Sequence, residues 1–189
     1  MAETPIVVFD ACVLYPAPLR DLLMWLAKNG LVSARWSEQI LSEWVEKLLL
    51  NRPDLKRERL LRTCSEMNRA IPDAMVSDYE DLIEGIAIPD EDDRHVVAAA
   101  LTASANVILT VNLKDFPVKQ LPDGIVAMAP DPFLHELFVL HPDEILETMR
   151  EHRGMLQKPS KTVEEYLATL ERNGLTSFVE AVRSKADAL

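Results

Sequence analysis

Cysteine is scarce. Cys12 and Cys64 are the only two among 189 residues, too few for a disulfide framework. Glycine is scarcer than usual, with 5 residues. They form no P-loop and no GxGxxG run, so a Gly-rich nucleotide cradle is excluded. No apolar run is long enough to span a bilayer. The N-terminus also lacks the basic, apolar and small-residue succession of a secretion signal. The expected compartment is the cytoplasm, with no membrane partner. Positive charge is in short supply too: 20 Lys and Arg face 31 Asp and Glu, a formal net charge of -11. Such a chain does not coat nucleic acid through bulk electrostatics, which requires Lys and Arg against the phosphates. Basic residues do gather locally, at Lys47, Arg52, Lys56, Arg57, Arg59, Arg62 and Arg69. Their interleaving with acids reads as a solvated helix face with ion pairs rather than a phosphate-contact surface.

What remains is a soluble globular composition, 48% hydrophobic and 27% charged, enough for one ordinary domain with an appendage. There is no internal repeat and no low-complexity tract. Residues 5–9 read as a short strand, β-branched and apolar on both faces. Residues 19–28 carry apolar positions at helical spacing and stop at Asn29-Gly30. Residues 31–34 look strand-like. Ser37 suits the N-cap of a helix running to about Leu50, and Pro53 breaks that pattern. Helices are expected over 55–70, 79–85 and 92–104, the last Ala-rich with an acidic start. Strands are expected over 106–110 and 125–128. Strands alternating with helices predict an α/β fold around a central parallel sheet, covering residues 1–129. Beyond Ala129-Pro130-Asp131-Pro132 only helical patterns occur: 133–140, 142–152, 162–173 and 175–188. Residues 130–189 are therefore expected to be an all-helical C-terminal extension, with Thr162-Val163-Glu164-Glu165 as a capping box.

Chemistry is suggested by acids near the strand ends. Asp10 closes the apolar run Ile6-Val7-Val8-Phe9. Asp115 follows Val107-Ile108-Leu109. Asp93 opens a helix after Pro89-Asp90-Glu91-Asp92. Glu43 lies among Ile40, Leu41, Trp44 and Val45, at the edge of an apolar face. Each has a purely structural reading: an Asx-turn for Asp10, helix caps for Asp90, Asp92 and Asp93, a turn for Asp115, an exposed helical position for Glu43. Parallel sheets, however, gather function beyond the carboxyl ends of their strands. Carboxylates brought together there repel unless a hard divalent cation lies between them, and oxygen donors suit Mg²⁺ or Mn²⁺. Such a site activates water and stabilises charge on phosphate, which points to a nuclease.

Four segments resemble the motifs of the PIN-domain ribonucleases, and most closely their VapC-like toxin branch. They are Val7–Leu14, Ser42-Glu43-Trp44, Pro89–Ala100 and Leu109–Pro117. The resemblance spans about residues 5–128, in order and approximate spacing; the helical tail is more loosely similar to that of one branch. It implies a PIN-like α/β/α sandwich. It implies that Asp10, Glu43, Asp93 and Asp115 form a catalytic metal site, Asp10 and Asp93 being the most direct ligands of Mg²⁺ or Mn²⁺. Asp90 and Asp92 would support them. Thr110 and Asn112 would shape the loop carrying Asp115 and contact the scissile phosphate. Cys12 is a departure, since many members carry a polar residue, usually Asn, at that position. A thiol is a poor Mg²⁺ partner and a weak hydrogen-bonder. His95 lies one turn into the helix after Asp93 and could face the site, but a lone helical His reads more readily as structural or exposed. The implied activity is hydrolysis of RNA phosphodiester bonds without a covalent nucleophile, in the toxin of a type II toxin–antitoxin pair, with a protein antitoxin as partner and a homodimer as assembly. A housekeeping RNA-processing or structure-specific nuclease, and an inactive scaffold of the same fold, remain alternatives. A phosphatase of the haloacid-dehalogenase type ranks low, because Asp10-Ala11-Cys12 lacks that family's second Asp.

Overall fold

A computed structural model describes residues 4–157, 159–185, 187 and 189. Five strands form one parallel sheet: β1 (Ile6–Phe9), β2 (Ser33–Ser37), β3 (Met75–Val76), β4 (Val107–Leu109) and β5 (Val126–Met128). Their spatial order is β3-β2-β1-β4-β5, and every pair is parallel. The central strand β1 buries Val7, Val8 and Phe9 completely, as a strand covered on both faces must. Register is set by Val8 opposite Arg35 on one side and Ile108 on the other.

Nine α-helices accompany the strands among the described residues: α1 (Ala11–Leu14), α2 (Ala17–Lys28), α3 (Glu38–Asn51), α4 (Arg57–Ala70), α5 (Arg94–Thr102), α6 (Pro130–Leu140), α7 (Pro142–Met155), α8 (Val163–Arg172) and α9 (Thr176–Arg183). The chain steps outward from β1 to β3, then returns to β4 on the far side of β1. Right-handed crossovers put α2, α3 and α4 on one face and α5 on the other. The result is the expected α/β/α sandwich. Small side chains let α5 lie close on the sheet, where Val96, Val97, Ala98, Ala99 and Ala100 are all fully buried.

Local chemistry accounts for the boundaries. Ser37 caps α3 by accepting a hydrogen bond from the Ile40 N–H at 3.2 Å. Gly30 takes φ +76° to end α2, and the turn runs on to Val32, so β2 begins two residues later than the apolar run suggests. It starts at Ser33, whose N–H donates to the Pro5 carbonyl. The strand β3, only two residues long, carries no periodic signal. Residues 80–85 form a 3₁₀ helix and α5 starts at Arg94, after a tight turn through Asp90–Asp93.

The last four helices pack on one another and on α2. Asn29, at the end of α2, donates to Thr148 and Glu151 of α7, each at 3.0 Å. His152 of α7 stacks on Trp25 of α2, and its Nδ1 lies 2.9 Å from the buried Tyr166 hydroxyl of α8. Thr162 and Glu165 form the anticipated capping box at α8. Residues 186 and 188 of the expected final helix lie outside the described residues, and α9 ends at Arg183.

Candidate functional site

The strand order reverses between β1 and β4, and the crevice beyond their carboxyl ends is the natural place for a site. Asp10 follows β1 there. Its N–H donates to the Leu109 carbonyl at 3.1 Å, fixing the ends of the two strands together. The side chain is only 4% exposed. Its Oδ2 accepts from the Thr110 hydroxyl at 2.6 Å and the Cys12 thiol at 3.0 Å. No hydrogen bond engages Oδ1 among the described residues. A buried carboxylate needs such partners, and both come from residues beside the site.

Thr110 is fully buried. Its hydroxyl also accepts from the Asn112 N–H at 3.0 Å, while Cys12 Sγ accepts from the Val111 N–H at 3.3 Å. These bonds bend the chain after β4 into the 3₁₀ turn Leu113–Asp115, whose last residue turns its carboxylate inward, with a side chain 15% exposed. Thr110 therefore shapes the loop from a fully buried position. The Asn112 side chain makes no hydrogen bond among the described residues and stays available. Cys12 is a working member of the network. Burial first, then the Asp10 charge, pushes its thiol up to about 12, so it stays protonated and can donate.

Asp93 sits at the N-terminus of α5 without capping it through its side chain. Its carboxylate lies with those of Asp90 and Asp115, one oxygen from each within 4.8 Å of the others. Burial, followed by the charges of Asp10, Asp90 and Asp115, raises the Asp93 pKa from 3.8 to about 6; His95 opposes the shift. Uncompensated repulsion of this kind marks a site shaped for something else. The donor set is all oxygen and anionic, which fits a hard divalent cation. Asp90 thus stands in the closest carboxylate group, beyond the supporting place the family resemblance implies for it. Asp92 is exposed and only its backbone enters, donating to Asp90 Oδ1 at 3.0 Å.

Glu43, on α3, is not in the Asp90–Asp93–Asp115 group. Its Oε1 lies 2.9 Å from His95 Nε2 and 3.2 Å from Gln39 Nε2. His95 is 2% exposed, so it is buried rather than exposed, and it contacts Glu43. The signal was a lone polar ring within six consecutive buried positions of α5. The basic stretch on α3 and α4 does form ion pairs, Arg57 with Glu46 and Arg52 with Asp54. A separate cavity of about 340 Å³ lies between α2 and the C-terminal helices, lined in part by Asp21, His152, Lys161 and Tyr166. None of the crevice acids borders it, and the carboxylate geometry, not cavity size, locates the site.

Comparison with known families agrees with this arrangement. Residues 6–114 match the family model described as PIN domain, and residues 130–184 match the one described as VapC50 C-terminal domain. The chain belongs to the PIN-domain family, in its VapC-like toxin group. No curated protein and no solved structure matches it. In this PIN-domain protein, the family match covers β1 to the Asp115 turn and stops one residue before Asp115 itself. The second match begins at Pro130, the first residue of α6. Membership points to a toxin nuclease. No helix among the described residues is long and apolar enough to cross a membrane.

Proposed function

We propose that this protein is a divalent-metal-dependent endoribonuclease, the toxin of a type II toxin–antitoxin pair. The observation that carries the reading is the convergence of Asp90, Asp93 and Asp115 beside Asp10, with Asp93 raised to about 6 by burial and by its neighbours. Asp10, Asp93, Asp115 and Glu43 hold Mg²⁺ or Mn²⁺, and Asp90 joins them. A cation held there would supply water activation and charge compensation at the scissile phosphate. The chain's own residues do the rest. Thr110 and Cys12 fix one oxygen of Asp10 and leave the other to face the crevice. Asp93, with its pKa raised to about 6, is ionised at neutral pH and would meet a cation as a carboxylate. Asn112, whose side-chain amide has no hydrogen-bond partner among the described residues, would be free to contact the phosphate. No side chain is needed as a covalent nucleophile.

The substrate reading rests on the family: RNA is the phosphodiester a toxin of this kind destroys. The antitoxin reading has support in the surface beside the site. Val111, Leu113 and Val118 are exposed by 58%, 44% and 71% around the Asp115 turn. An apolar rim beside an anionic crevice suits a protein that brings a cationic side chain with apolar flanks. Residues 1–129 constitute the nuclease unit and 130–189 the helical extension. The protein works in the cytoplasm and pairs as a homodimer.

The test uses the purified full chain with a mixed RNA panel, in Mg²⁺, in Mn²⁺ and in EDTA, beside an Asp10→Asn, Asp93→Asn double variant. Metal-dependent cleavage that the variant loses supports the reading. A wild-type protein that neither cuts RNA nor binds a divalent cation by calorimetry refutes it.

A further inference from the structure

The α5 segment that covers the sheet is apolar except at one place. His95 lies among Val96, Val97, Ala98, Ala99 and Ala100, all buried, and is itself 2% exposed. Neither ring nitrogen makes an aligned hydrogen bond among the described residues. A buried polar group in that state is costly, and an aliphatic residue at this position would avoid the cost. Among the described residues the ring makes a salt-bridge contact with Glu43, Oε1 lying 2.9 Å from Nε2. The N–H is off-axis to the oxygen, so this is a close electrostatic contact rather than an aligned hydrogen bond. A neutral imidazole carries its one N–H on either ring nitrogen, and a proton on Nε2 would face Glu43.

Glu43 needs such a contact. It is the longest acidic side chain at the crevice and its side chain is 40% exposed. Gln39, one turn earlier on α3, donates to the same Oε1 at 3.2 Å. The Gln39 donor and the His95 contact converge on Oε1, and Oε2 has no hydrogen bond among the described residues. We propose that His95 is a positioning residue, buried beneath the crevice to fix Glu43 by one oxygen so that the other faces the divalent cation. Carboxylates around a cation are usually held by outer partners of this sort. The inference rests on the metal-site reading and adds to it the residue that orders its most mobile ligand.

The test is direct Mn²⁺ binding, followed by electron paramagnetic resonance on the full chain. His95→Gln and His95→Met have nearly the same shape and differ in whether a donor remains. His95→Gln should bind Mn²⁺ within about threefold of wild type, and His95→Met about 10–100-fold more weakly. In a Glu43→Ala background, His95→Met should weaken binding no further. Equal affinities for the Gln and Met variants would overturn the proposal. So would an undiminished Met effect in the Glu43→Ala background, since His95 would then act on the fold and not through Glu43. Because binding is read without RNA, a protein that binds Mn²⁺ but cleaves nothing still tests His95. A wild type that binds no Mn²⁺ removes the metal site and this role together.

Discussion

Replacing Asp93 by Asn should stabilise the metal-free protein while destroying its affinity for cations. The magnitude follows from the crowding around it. Burial and the charges of Asp10, Asp90 and Asp115 raise its pKa from 3.8 to about 6. At about 1.4 kcal/mol per unit, a shift of about two units sets a ceiling near 3 kcal/mol. Asp93 is only half-buried, and solvent screening reduces this to about 1 kcal/mol. The folded pKa lies above the unfolded one, so between pH 3.8 and about 6 the folded protein binds more protons than the unfolded chain. The Asp93 contribution to stability therefore falls as pH rises through that window and is flat above it. In EDTA at pH 7.5, Asp93→Asn should raise Tm by about 2–4 °C, the shift that about 1 kcal/mol produces in a chain of this length. Near pH 4 the difference should vanish. With Mg²⁺ at 100 times its Kd, wild type gains about 2.7 kcal/mol and overtakes the variant. Differential scanning calorimetry in the three conditions reads all of this. A variant that melts below wild type in EDTA at pH 7.5, or keeps its advantage near pH 4, refutes the idea that carboxylate repulsion is stored at this site.

Three further outcomes follow from other parts of the molecule. With the Cys12 thiol pushed up to about 12 and Cys64 also raised by burial, neither should react with a disulfide reagent at pH 8 in the native protein, and both should react in denaturant; a fast native thiol would contradict the protonated Cys12 network. Asp131 of α6 accepts from the Ser177 and Phe178 N–H groups at 3.0 and 2.8 Å, supplying the cap that Leu175 cannot; Asp131→Ala should cost about 1–2 kcal/mol in urea unfolding, and a change under about 0.3 kcal/mol would show the cap to be idle. Tyr166→Phe leaves His152 Nδ1 buried without its partner and should cost about 1–2 kcal/mol by the same assay, whereas an unchanged midpoint would mean that water replaces the hydroxyl.

The sequence carried the frame of this protein further than its site, for reasons that particular residues make plain. Helices α3 and α8 announce themselves because Ser37 and Thr162 are caps with local, short-range partners. Strand β1 reads clearly because a central parallel strand is apolar on both faces. Strand β3, two residues at the sheet edge, is formed by its pairing with Trp36 and Ser37 and has no pattern of its own. The site depends on relations of this longer kind. Asp10 is completed by Thr110, 100 residues away, and that bond exists because β4 inserts beside β1 rather than beyond β3. Asp90 and Asp92 are indistinguishable as letters in an acidic run, yet the turn before α5 sends one toward Asp115 and leaves the other in solvent. Glu43 and His95 sit on helices on opposite faces of the sheet, and no periodicity on either helix contains the other. A family motif can mark which positions hold acids; which oxygen is fixed, and by what, is decided by strand order and by the few buried polar groups that the core tolerates at its edge. If the acids hold a cation as proposed, replacing Thr110, Cys12 or His95 by an apolar residue should in each case weaken metal affinity by about 10–100-fold.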